Sequence, residues 1–97
     1  MKTEKKFTAE NFTADYYNDG KVRFVRIQNE NGNSARYDWS TIDHCFEAGA
    51  NEGLEPTEEL FNTFPELVAL EKELASIAHA AAVLGRKGGN AITAARS

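Results

Sequence analysis

Cysteine is almost absent from this chain. Cys45 stands alone, so no internal disulfide can form, which fits a reducing compartment and a small buried thiol. Long apolar runs are missing as well. The longest nearly uncharged stretch, LASIAHAAAVLG from Leu74 to Gly85, is too short and too rich in alanine to span a membrane. The start, MKTEKKFTAENF, is basic but has no apolar segment behind it, so no signal peptide is expected. These absences lead to the expectation of a cytoplasmic protein without membrane contact. Histidine occurs only twice, and no internal repeat is visible.

What is present is ordinary for one globular domain. Ninety-seven residues, 41% of them apolar, allow a single modest core that buries about 60–65% of the unfolded surface. The net charge of −4 is distributed unevenly. Residues 1–40 sum to +1, residues 41–73 to −8, and residues 74–97 to +3. An acidic middle repels nucleic acid, whereas the short basic end offers it weak attraction.

The segment NFTADYYNDGKVRFVRIQ carries the strongest local signal. Asp19-Gly20 suits a two-residue hairpin turn, because glycine tolerates positive φ. Such a turn pairs Tyr16 with Arg23 and Ala14 with Val25, and it gathers Phe12, Ala14, Tyr16, Val25 and Ile27 on one face. The next stretch, RIQNENGNSARYDW, poses a parity problem. A two-residue Asn31-Gly32 turn would place Arg36 and Asp38 among those apolar groups. A three-residue loop, Glu30-Asn31-Gly32, pairs Ile27 with Ala35 and Val25 with Tyr37 instead. Tyr37 and Trp39 then point inward, and the odd loop is the expectation. The opposite face carries Tyr17, Val22, Phe24, Arg26, Arg36 and Asp38, a mixture of aromatic and basic groups that suits partner binding.

Helical signals follow. Ser40 or Thr41 can cap a helix over STIDHCFEAGANEG that turns Ile42, Cys45, Phe46 and Gly49 to one side. EPTEELFNTF reads as a short helix with Pro56 near its start and an acidic first turn. TFPE, Thr63 to Glu66, resembles a capping box ahead of a long helix. Leu67, Leu70, Leu74, Ile77, Ala81 and Leu84 form its narrow apolar seam, and Gly85 is its expected stop. The expected architecture is therefore α+β. A three-stranded antiparallel meander (about 11–18, 21–29, 33–39) is covered on one face by helices (about 41–52, 56–62, 64–85). Residues 1–85 form the domain, and 86–97 a glycine-hinged basic tail able to form a short helix.

Catalytic and metal chemistry find little material here. His44 adjoins Cys45, but neighbouring helical residues face different sides and no second pair completes a metal set. His79 has no acidic residue three or four positions away to orient it. A Cys45–His79 pair would need the fold to bring the two together. GRKGG lacks the phosphate-loop spacing and follows a helix rather than a strand. It leaves Arg86, Lys87 and Asn90 as a weak anion contact. The acidic side chains Glu52, Glu55, Glu58 and Glu59 form a solvated face that can also meet a basic partner. The alanines of the long helix (64–85) permit close approach of a second copy, hence a homodimer. No enzyme activity and no cofactor are expected.

The C-terminal AAAVLGRKGGNAITAARS resembles the alanine-rich LGxKGG ends of small uncharacterised bacterial and phage accessory proteins. The resemblance covers about eighteen residues. It implies a prophage or mobile-element protein, a class that includes anti-defence (anti-CRISPR-like) inhibitors acting by occupying a protein partner's surface. The alternative is a small nucleic-acid-associated protein that uses the basic tail.

Overall fold

The structure is a computed structural model that describes the backbone of residues 3–90 and the side chains of residues 3–80. The architecture is α+β, with a larger sheet than the sequence led us to expect. Five antiparallel strands, β1 (Thr3–Ala9), β2 (Phe12–Asn18), β3 (Arg23–Gln28), β4 (Ser34–Ser40) and β5 (Cys45–Glu52), pair in sequence order. Helices α1 (Glu58–Asn62) and α2 (Pro65–Asn90) cover one face.

The middle strands follow the expected faces. Ala14, Tyr16, Val25, Ile27, Ala35 and Tyr37 are buried against the helices, with Phe12 and Trp39 half-buried at the margin. The β3–β4 register pairs Val25 with Tyr37 and Ile27 with Ala35, as the odd loop requires. Gly32 closes that loop with φ +87°, a conformation that favours glycine. Asn29 supports it by accepting from the backbone of Asn31 (2.9 Å) and Asn33 (3.0 Å) through its side-chain oxygen.

The first hairpin keeps its faces but not its register. Tyr16 pairs with Val25 and Asn18 with Arg23, so the loop holds the four residues Asp19 to Val22 rather than two. The side chain of Asp19 stabilises the wider loop. Its Oδ1 accepts from Lys21 N (3.0 Å) and Val22 N (2.7 Å), and these donors hold its carboxyl below the usual range.

Two strands were not expected. β1 carries a single large apolar residue, Phe7, so its alternation is faint in the sequence. It turns into β2 at Glu10-Asn11, with Glu10 at φ +54°. β5 replaces the helix expected over 41–52. Ser40 does cap a turn, accepting from Asp43 N at 2.9 Å, but the turn closes after one round. His44 N donates to Ser40 O (2.9 Å), and His44 at φ +55° sends the chain back beside β4. The gain is tertiary. Phe46 pairs with Trp39, is 9% exposed, and packs with Tyr16, Trp39 and Phe61. The expected helix would have turned Ile42 to the same side as Phe46; in the β4–β5 turn Ile42 is 87% exposed. Burying an aromatic side chain contributes about 2–3 kcal/mol, enough to override weak local preference. The register shifts at Gly49-Ala50, where one extra residue bulges β5. A Cβ at Gly49 would run into the Asp38 side chain and come within 3.0 Å of the Arg36 carbonyl oxygen.

The helices complete the core. Thr57 caps α1, its Oγ1 accepting from Leu60 N at 3.0 Å, while Leu60 and Phe61 face inward. Thr63 donates its hydroxyl to Glu59 O (3.2 Å), so it finishes α1 rather than forming the expected box on α2. Phe64, Leu67, Leu70 and Leu74 lie against the sheet. The seam then leaves the core, and Ile77 is 57% exposed. Helix α2 runs through Gly85 to Asn90 instead of stopping at Gly85. A helix of 26 residues is about 39 Å long, which outruns the sheet and accounts for the 53 Å long axis of the molecule.

Candidate functional site

Two sets of exposed side chains were each expected to bind something. The uncovered sheet face is the first. Lys6, Asp15, Arg26 and Arg36 stand side by side across β1 to β4, and Tyr17, Phe24 and Asp38 form the neighbouring row. Phe24 is only 8% exposed because its own neighbours cover it. Tyr17 stacks on its ring (4.5 Å between centroids, 13° between planes), and the Arg36 guanidinium lies 3.9 Å from its centroid. Arg36 is held there by Asp38, Nε to Oδ1 at 2.8 Å. The expected exposed aromatic is thus an internal stack, with Tyr17, Arg26 and Arg36 half-buried. Val22 leaves the face altogether and sits exposed in the β2–β3 loop. Asp15 has Lys6 Nζ at 3.8 Å, yet its Oδ1 accepts no hydrogen bond, and the buried Arg26 Nε donates none.

The acidic side is the second. Glu52, Glu55, Glu58 and Glu59 are all exposed, as are Asp43 and Glu47 at the start of β5. Glu52 also accepts from the Ser34 hydroxyl at 2.8 Å. Asp43 and Glu47 lie close enough that a hydrogen bond between them, with burial and mutual repulsion, raises the Glu47 carboxyl.

Between β5 and the helices lies a cleft of about 220 Å³. Tyr37, Phe46 and Phe61 wall it, with Phe61 centred 5.2 Å from Tyr37 and 5.8 Å from Phe46. Glu58 and Glu71 are its charged lining residues, and no cation lines it. Glu71 Oε2 accepts from Phe46 N on the β5 edge at 2.9 Å. Tyr37 donates its hydroxyl to Thr57 O at 2.6 Å, and burial pushes its phenol up to about 12. Nothing in the sequence marks this cleft, because it exists only once β5 is a strand. A second cleft, about 260 Å³, opens between Phe12 and Leu54 and carries one carboxylate, Glu30.

Cys45 is half-buried rather than buried, and alternation puts it on the uncovered face. Burial first, then Glu47, Glu71 and Asp43, raise its thiol, which keeps it protonated near neutral pH. Among the described residues no group of three His, Cys, Asp or Glu side chains is placed to hold a metal ion, and no helix is long and apolar enough to cross a membrane. Arg86, Lys87 and Asn90, the expected anion contact, lie outside the described side chains, as do Ala81 and Leu84 of the seam. Residues 91–97 of the tail lie outside the described residues. No protein-family model matches the chain, and neither does any curated protein or solved structure.

Proposed function

We propose that the protein works by binding rather than catalysis, laying its acidic β5–helix side on a basic surface of a protein partner. The observation that carries this reading is the placement of charge. Of the nine acidic side chains in residues 41–73, only Glu71 is even half-buried, and the single cation of that segment is Lys72. Carboxylates spread over a strand edge and two helices steer a basic partner and give the encounter its specificity. A surface that normally holds nucleic acid is one such partner. In that form the protein is a phage-type inhibitor that occupies the surface of a defence complex, as the LGxKGG resemblance implies.

The test is affinity capture from bacterial lysate with mass spectrometry, comparing the wild type with a variant whose Glu52, Glu55, Glu58 and Glu59 are changed to lysine. The expected result is one partner retained by the wild type at low salt and lost by the variant. Retention by the variant would remove the acidic-surface reading. A second reading, docking through the uncovered sheet face, is favoured by Asp15 Oδ1 and Arg26 Nε, buried atoms that make no hydrogen bond. It predicts loss of the same partner in Arg26→Ala with Arg36→Ala.

A further inference from the structure

We infer that the cleft between β5 and the helices receives an arginine side chain of the partner. The inference rests on the acidic docking surface and adds the anchor within it. Three properties of the cleft select this guest. Its lining includes the aromatic residues Tyr37, Phe46 and Phe61, which suit a flat, weakly hydrated cation better than a compact ammonium. Its charge is unbalanced, with Glu58 and Glu71 among the lining residues and no lysine, arginine or histidine. Its carboxylates have acceptor capacity left. Glu71 gives Oε2 to Phe46 N, and a carboxylate accepts at both of its oxygens.

The arrangement is also held in place before any guest arrives. Phe46 is 9% and Phe61 6% exposed, so their rings are fixed by the core. Glu71 is tied to the strand edge, and Tyr37 to the chain before α1. A guanidinium entering here meets ordered aromatic walls and two carboxylates, the geometry in which charge-assisted hydrogen bonds are strongest. An anionic or apolar guest would leave those carboxylates desolvated without a partner. Interface anchors are often arginines seated in pockets of this kind, ringed by contacts of little individual weight.

The test is a titration of the ¹⁵N-labelled full chain with three blocked tripeptides, Ac-Gly-Arg-Gly-NH2 and its lysine and glutamate counterparts. The arginine peptide should move the amide signals of Phe46, Ala48 and Phe61 saturably. The lysine peptide should do so more weakly and the glutamate peptide not at all. Glu58→Gln and Glu71→Gln should each weaken the arginine response about tenfold or more. Glutamine at 71 still accepts from Phe46 N, and an unchanged thermal transition checks that the fold is intact. Shifts that spread over all exposed carboxylates without saturating, or that survive both substitutions, overturn the inference. Glu52→Lys, Glu55→Lys and Glu59→Lys together separate the two levels, because none of these residues lines the cleft. If that variant loses the captured partner but keeps the peptide response, both readings stand. If the wild type captures a charge-sensitive partner but shows no localised peptide response, only the anchor fails.

Discussion

Raising the pH should weaken the fold through Tyr37. The phenol is 3% exposed, and burial moves it from 10.0 to about 12 in the folded chain. For a neutral acid raised by folding, the contribution is fully present below the unfolded value. It is lost as pH climbs from 10.0 through about 12. At about pH 11 the unfolded tyrosine is roughly nine-tenths ionised and the folded one roughly one-tenth, a loss of about 1.4 kcal/mol. Tyr37→Phe removes that loss together with the hydrogen bond to Thr57 O, which is worth about 1 kcal/mol. Urea unfolding should therefore find the variant about 1 kcal/mol weaker than wild type near pH 8.5 and level with it or slightly stronger near pH 11. Tyr16, also raised by burial, acts in the same direction, but it is common to both chains and cancels in the difference. A gap between wild type and variant that stays constant with pH would show that the phenol ionises as freely in the folded chain as in the unfolded one.

Three further outcomes are expected. Phe24→Ala should destabilise by about 3 kcal/mol and Arg36→Ala by about 0.5–1, with a double-mutant coupling of about 0.5–1 kcal/mol from the stack; zero coupling in chemical denaturation would refute the stack. On α2, Leu70→Ala should cost about 2–5 kcal/mol, whereas exposed Ile77→Glu should change monomer stability by less than about 0.5. Light scattering then tests the pairing of two copies through the distal helix. If the wild type has the mass of two chains, Ile77→Glu should halve it, and a wild type with the mass of one chain would remove the dimer.

The middle of the sheet was legible because parity leaves little freedom there. Tyr37 and Trp39 can join Val25 and Ile27 only if the loop after Gln28 is odd, and the observed pairs obey that rule. The helix starts were legible to within about two residues from Pro56 and Pro65, whose chemistry is local, although the cap of α1, Thr57, was not read from the sequence. What escaped was decided at a distance. Cys45 to Glu52 includes Ala48, Gly49 and Ala50, residues without strand preference, and Ser40 offers a genuine cap. Only the contacts of Phe46 with Trp39, Tyr16 and Phe61 make that segment a strand. β1 was faint for a related reason, since an edge strand with one large apolar residue barely alternates. The candidate sites moved accordingly. The acidic residues are as exposed as their composition implies, Phe24 is consumed by its neighbours, and the cleft waited on β5. Gly85 failed as a stop because one glycine costs a helix only about 1 kcal/mol relative to alanine.

The sequential order of the five strands bears on how quickly the molecule assembles. Every strand pairs with the one just before it along the chain, across turns of two to five residues. No pairing waits on the closure of a long loop, so the entropy of bringing strand ends together stays small at each step. Sheets usually fold slowly because their contacts join distant parts of the chain, and this one escapes that penalty. On the ribosome each hairpin can close as soon as its second strand emerges, and the apolar face stays open only until Phe61, Phe64 and Leu67 arrive. The exposed interval is short, which limits the time in which that face can stick to another chain.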